Sequence, residues 1–307
     1  MRTAQLSFVL LMGAFAVPSA ATRAESLVHT GPLGGAASSA SEAAVEPTST
    51  VQDAKAVTEA YHGFFEARDR EGLADLWRAN PGRVLVTIDA DLEASLRLWE
   101  QSPEEPDRAG IAELHARALF GAEVAAEARG NSILRDYASA FVGWTDVQKL
   151  DFRAGQAAFG RAAQALRGGD AEVALAAAQE CRERALPLGD WWGTAMGLEF
   201  EAAALRTLGR HEEALAAGVR ARQIYHQLGL GSSALGCALG ALESAISLER
   251  WQRAHALCDD CVHAVAAAGD RARQAALLGQ RAAIEDELGL TERAAATRAE
   301  ADALGDQ

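Results

Sequence analysis

One feature constrains this chain more than any other: its last half repeats itself every forty residues. Four segments align without gaps: RGGDAEVALAAAQECRERALPLGD from Arg167, TLGRHEEALAAGVRARQIYHQLGL from Thr207, SLERWQRAHALCDDCVHAVAAAGD from Ser247 and ELGLTERAAATRAEADALGD from Glu287. Ala174, Ala214, Ala254 and Ala294 share one column, but Ala is so common here that this column alone decides little. Gly is rarer, and it returns at Gly169, Gly209 and Gly289 and again at Gly189, Gly229 and Gly269. Two Gly columns and an Ala column in one phase define a structural unit. Gly tolerates the left-handed backbone that ends a helix and reverses the chain. A small side chain just beyond the reversal lets two helix axes approach closely. Each unit therefore reads as a helix pair with an apolar face it cannot cover alone, so the pairs must stack.

Composition agrees with helices throughout. Hydrophobic residues make up 49% of the 307 residues while aromatics make up only 6%, so Ala and Leu carry the apolar count. Ala is the strongest helix former. The one β-branched run, Val84-Leu85-Val86-Thr87-Ile88, has no partner run with which to form a sheet.

With the register in hand, the repeat resembles the tetratricopeptide family. The family's small first-helix residue matches Ala162, Ala202 and Ala282, with Leu242 departing; its turn Gly matches Gly169, Gly209 and Gly289, with Glu249 departing. Its second-helix small positions fall on the Ala174 column and on Cys181, Ala221, Cys261 and Ala301. The large first-helix position is matched by Leu198 and Leu278, whereas Ala158 and Ala238 depart. The unit is also longer than the usual 34 or so residues. The resemblance covers residues 146–304. It implies an all-α fold of antiparallel helix pairs stacked as a right-handed solenoid, whose concave groove holds a peptide or a partner protein. Carried over column by column, the groove would be lined by Gln156, Phe159, Arg167, Glu199, Arg206, Glu243 and Asp286. That mixed lining suits a peptide with both charged and apolar residues.

Residues 51–145 read as further helices without an internal period. Val57, Tyr61, Phe64 and Phe65 recur at helical spacing, as do Leu73, Leu76 and Trp77, before the stop Asn80-Pro81-Gly82. A helix over 89–101 carries Leu92, Leu96 and Trp99 on one face; another opens with Ile111, Leu114, Ala118 and Leu119 and closes at Gly130-Asn131. Tyr137, Phe141 and Trp144 form a stripe over 133–144. Trp77 and Trp99 are expected in the core. Because most large aromatics lie here, this region is itself a candidate for the functional part.

The first 24 residues have the form of a signal peptide: Arg2, an apolar run from Leu6 to Val17, then Ser19, Ala20 and Ala21. The run is too short to span a bilayer, which takes roughly 20 apolar residues. A periplasmic or secreted protein is expected, with no stable membrane insertion after cleavage. Residues 25–50 are small and polar and are expected to be a flexible linker. The net charge of −14 repels phosphate backbones and argues against nucleic-acid binding.

Chemistry-bearing patterns are sparse. The sharpest is His255-Ala-Leu-Cys258-Asp-Asp-Cys261-Val-His263, which in an exported protein suggests a metal or redox site. Its cysteines, however, fall in small-residue packing columns, where a thiol behaves as a small hydrophobe. The acidic neighbours Asp89 and Asp91, Glu104 and Glu105, and Asp259 and Asp260 read as solvated surface. No Gly-x-Ser-x-Gly, His-Glu-x-x-His or phosphate-cradling loop is present. The expectation is a binding scaffold with neither catalytic residues nor cofactor, and a thiol or metal-binding protein using Cys258 and Cys261 is the alternative.

Overall fold

The computed structural model of the chain describes residues 48–305, with side chains from residue 54. The expected signal peptide and nearly all of the expected linker lie outside the described residues. Among the described residues there are thirteen α-helices and no strand.

Five helices precede the repeats: α1 (Thr48–Ala67), α2 (Arg70–Ala79), α3 (Val84–Gln101), α4 (Arg108–Arg129) and α5 (Ile133–Val142). The first opens slightly ahead of Val51. Asp69 caps α2 by accepting from the Gly72 amide at 2.9 Å, and α2 stops at the expected Asn80-Pro81-Gly82 break. The β-branched run becomes the first turns of α3, so that helix starts five residues before 89. The reason is burial: Val84, Leu85 and Ile88 extend the stripe Leu92, Leu96 and Trp99, and packing on one helical face outweighs a modest strand preference.

Tyr61, Leu73, Trp77, Ile88 and Leu92 are sealed in the centre of this region. The Trp77 indole donates to the Gly121 carbonyl at 3.1 Å, and the Tyr61 ring lies against Gly121, where no side chain intervenes. Asp89 and Asp91 are not solvated surface: both are buried, only 6% and 5% exposed. Arg117 of α4 grips Asp91 through two guanidinium nitrogens, and the Tyr61 hydroxyl lies 3.0 Å from the same carboxylate. The Tyr137 hydroxyl donates to Asp89 at 2.5 Å. A carboxylate enters a core when partners compensate for its lost hydration, and these partners come from other helices. Burial, then the charge and hydrogen bond of Asp91, holds the Tyr61 hydroxyl far above its ordinary pKa.

The repeats follow as four helix pairs: α6 (Asp146–Arg167) with α7 (Ala171–Ala185), α8 (Trp191–Thr207) with α9 (His211–Leu228), α10 (Gly231–Ser247) with α11 (Trp251–Ala267), and α12 (Arg271–Glu287) with α13 (Thr291–Gly305). Consecutive helices from α6 to α13 pack against one another. Both Gly columns have the expected backbone. The turns within pairs have φ of 78° at Gly169, 72° at Gly209 and 74° at Gly289; those between pairs have 68° at Gly189, 80° at Gly229 and 75° at Gly269. Glu249, the one departure, is forced into the same region with φ 54°. A non-Gly residue there is strained by roughly 1–2 kcal/mol. Glu249→Gly is therefore expected to raise stability by about 1 kcal/mol, read as a higher urea midpoint at unchanged slope; an unchanged or lower midpoint would show that no strain is stored there.

The Ala column is sealed, with Ala174, Ala254 and Ala294 fully buried and Ala214 1% exposed. Where columns hold larger residues, the stack loosens. The column Gly197, Cys237, Leu277 faces the second helix of the preceding pair, and its side chains grow along the chain. At Gly197 a Cβ would come within 2.8 Å of Arg182 on α7, whereas Leu277 inserts a full side chain towards α11. Leu242 likewise replaces Ala where α10 meets α11. Both contacts of α11 involve less close approach than the earlier ones. In consequence α6 touches α8 and α8 touches α10, but α12 stands back from α10.

The first five helices lie against the start of the array. Arg153 of α6 reaches Glu93 at 2.9 Å and Glu100 at 2.6 Å, both on α3. The Trp144 indole donates to the Leu188 carbonyl at 2.9 Å. Arg129 donates to the Leu228 and Pro81 carbonyls at 3.3 and 2.5 Å, and Asn131 to the Gln227 carbonyl at 2.8 Å. The turns at Gly189 and Gly229 are thus covered, while a Cβ at Gly269 would meet nothing.

Candidate functional site

The first-helix positions that a groove would use change character along the array. On α6, Gln156 donates to Glu93 of α3 at 2.8 Å and accepts from Arg153 at 2.7 Å. Phe159 is 5% exposed and meets Phe200 edge-on, with ring centroids 4.9 Å apart. Arg167, the last residue of α6, is exposed. These three are not brought into one surface.

On α8, Glu199 is partly buried and accepts a 2.5 Å hydrogen bond from the Tyr225 hydroxyl of α9. Burial raises the Glu199 pKa, and the Tyr225 hydrogen bond and Arg206 only partly oppose it. Arg206 lies across Gly240 and meets Glu243 of α10 at 3.4 Å. The structure therefore brings Arg206 and Glu243 together, with Glu199 close enough to feel the guanidinium charge. On α12, Asp286 pairs with Arg298 of α13 in the same repeat.

Solvent reaches this face most fully on α10 and α12. Gly236, Glu243, Ala276, Gly279, Ala283 and Asp286 are all exposed there. Leu235, Leu239 and Ile246 of α10 are half-buried, packing one side on the core formed with α11 and leaving the other side open. Gly236 and Gly279 are mid-helix glycines above which a Cβ would meet nothing. Column counting missed these two. The signal was available, since Gly236 follows Met196 and Gly279 follows Leu239 by one repeat. The result is an apolar strip with a low floor, edged by the carboxylates of Glu243 and Asp286. It can receive apolar side chains, and basic groups in competition with Arg206 and Arg298, which already pair with those carboxylates.

The two cysteines of the alternative site are in the interior. Cys258 and Cys261 are fully buried and free, and the Cys258 thiol donates to the Leu277 carbonyl at 3.4 Å. Burial, reinforced by Cys261, pushes the Cys258 thiol up to about 12; burial likewise pushes Cys261 up to about 11. Thiols so placed stay protonated, and the thiolate is the form that ligates metal or attacks. His255 turns to Glu285 at 3.1 Å, and the His263 ring meets its own helix at the Asp259 carbonyl, 2.8 Å away. Among the described residues, no group of three or more His, Cys, Asp or Glu is arranged to hold a metal ion. Trp192 is buried and Trp191 half-buried at the start of α8, in keeping with a staple over the junction between pairs.

No family model matches the chain, and no curated protein matches it.

Proposed function

We propose that this chain is an exported, non-enzymatic scaffold of the tetratricopeptide kind, coiled as a right-handed solenoid, that binds a partner protein on the first-helix face of its last two repeats. The observation that carries the reading is the pair Gly236 and Gly279. Gly in a helix interior costs about 1 kcal/mol relative to Ala, and neither glycine is required by packing within the chain, since nothing lies above either one. Their use is to let a second backbone approach. Half-buried Leu235, Leu239 and Ile246 supply apolar contact area, and Glu243 and Asp286 favour a partner segment with basic flanks. A helical segment meets these features best, because small residues on one helix admit the ridge of another. Export rests on the Leu6–Val17 run and the small residues after it.

A photo-crosslinking residue placed at Gly279 tests this directly, with the same probe at exposed Ala216 on α9 as control. In extracts of the source cell, the 279 probe is expected to capture a discrete protein that the 216 probe does not. Glu243→Arg should reduce its yield several-fold. Identical products at both positions, or none at 279, would defeat the proposal.

A further inference from the structure

A second surface, independent of the repeat face, lies where α3, α4 and the start of α6 meet. There a cavity of about 450 Å³ opens between Trp99, Pro103 and Pro106 on one side and Arg108, Ile111, Ala112 and His115 of α4 on another, with Asp146 and Lys149 of α6 closing it. In a chain of net charge −14 this lining is anomalous, because it gathers two permanent cations and a histidine against a single carboxylate. Pro103, Pro106, Ile111 and Ala112 supply apolar wall around them.

The charged groups are held in place. The Lys149 ammonium lies 3.0 Å from Asp146 Oδ1 and 4.6 Å from the centre of the Trp99 ring, which fixes it over the buried indole. His115 Nε2 is 2.9 Å from Ser95 Oγ, and that hydroxyl gives its own proton to the Leu92 carbonyl at 2.6 Å. Ser95 is therefore the acceptor, Nε2 carries the hydrogen, and Nδ1 is the nitrogen that takes up a second proton. Burial and then the neighbouring Lys149 charge lower the His115 pKa. An anion placed between the two would relieve that repulsion. The other charges lining the cavity are Arg108 on the same helix as the histidine and Asp146 on α6, and the loop that leads into α4 carries Glu104, Glu105 and Asp107.

We propose that this cavity binds a small organic monoanion, a carboxylate borne on an apolar body about the size of an aryl ring. The carboxylate sits between Lys149 and His115, within reach of Arg108, and the body lies against Pro103, Pro106 and Ile111. Binding draws a proton onto His115, so affinity rises as pH falls.

Benzoate is the probe, titrated calorimetrically into the full chain, with benzamide as its neutral isostere. Benzoate is expected to saturate a single site, several-fold tighter at pH 6 than at pH 8, with proton uptake seen as a buffer-dependent heat. Benzamide should bind at least about tenfold more weakly, the scale of one lost charge-assisted hydrogen bond. Lys149→Met keeps the aliphatic stem over Trp99 and should weaken benzoate about as much, with Lys149→Arg restoring most of it. His115→Asn, which can still bond Ser95, should flatten the pH dependence. Equal binding of benzamide and benzoate, no saturable benzoate binding at pH 6, or wild-type affinity in Lys149→Met would each overturn the assignment. The benzoate–benzamide comparison uses the unaltered protein and so does not depend on how any variant folds.

Discussion

Replacing Glu285 by Ala is expected to lower the stability of the chain by about 3 kcal/mol at neutral pH, the scale for removing one partner from a buried ion pair. The side chain of Glu285 is fully buried between α11, α12 and α13. One carboxylate oxygen accepts from Arg293 at 2.9 Å, lies 3.1 Å from His255 and is 3.7 Å from the guanidinium of Arg281; the other accepts from Thr297 at 2.7 Å. Arg281 Nε is buried with no hydrogen bond of its own and faces this carboxylate, so removing Glu285 takes away the countercharge on that side of the guanidinium and leaves only Asp259 at 2.9 Å and Glu300 at 3.5 Å. Arg293 is exposed and can be rehydrated, which keeps the loss at the lower end of the range.

The same site sets an acid limit. Burial alone would raise the Glu285 pKa, but Thr297, His255, Arg281 and Arg293 outweigh it and hold the group below its ordinary 4.5. A carboxylate depressed on folding contributes stability that is complete above the unfolded value and is lost as pH falls through the folded one. The gap between wild type and Glu285→Ala in urea midpoint should therefore be constant from pH 7 to about 5 and shrink below 4.5. A gap that widens on acidification would mean that the cluster does not favour the ionised form.

Gly197→Ala is expected to destabilise by about 2 kcal/mol, against the sign that helix propensity assigns. Gly to Ala in a helix interior normally gains up to about 1 kcal/mol. At Gly197 the new Cβ would lie 2.8 Å from the Cβ and amide nitrogen of Arg182 and 3.0 Å from the Ala178 carbonyl. Two of those atoms are backbone, so relief requires α8 to back away from α7, and overpacking of this kind costs roughly 1–3 kcal/mol. Gly279→Ala is the matched control, because its Cβ meets nothing and the propensity gain of about 0.5–1 kcal/mol should be realised. Opposite shifts in urea midpoint for the two variants are the expected result. Stabilisation by both would show that α7 and α8 are not in tight contact at this point.

Much of the array was legible beforehand because it is written along single helices. Gly169 and Gly209 mark chain reversals wherever they stand, and a column of Ala at 174, 214, 254 and 294 says where two axes must approach. Two of the departures were readable in kind: Glu249 occupies a left-handed turn meant for Gly, and Leu242 is larger than its column asks. Of the residues assigned to a groove, Glu243 and Asp286 stand on the open face, whereas Gln156 is engaged by α3 and Phe159 is packed on Phe200. The register gave each position an address on its helix but no account of what the first five helices would cover. Asp89 and Asp91 were misjudged for the same reason, since their partners Tyr137 and Arg117 lie on other helices.

From the amino-acid order alone came the helix pairs, their forty-residue period and the sites of chain reversal, because hydrophobic spacing and backbone freedom act over a few neighbouring residues. Only the tertiary structure decided that the first five helices cover the turns at Gly189 and Gly229, that α12 stands back from α10, and that Trp99, His115 and Lys149 line one open cavity. Those outcomes depend on side-chain volumes and charges meeting across long sequence separations, where no local periodicity carries the information.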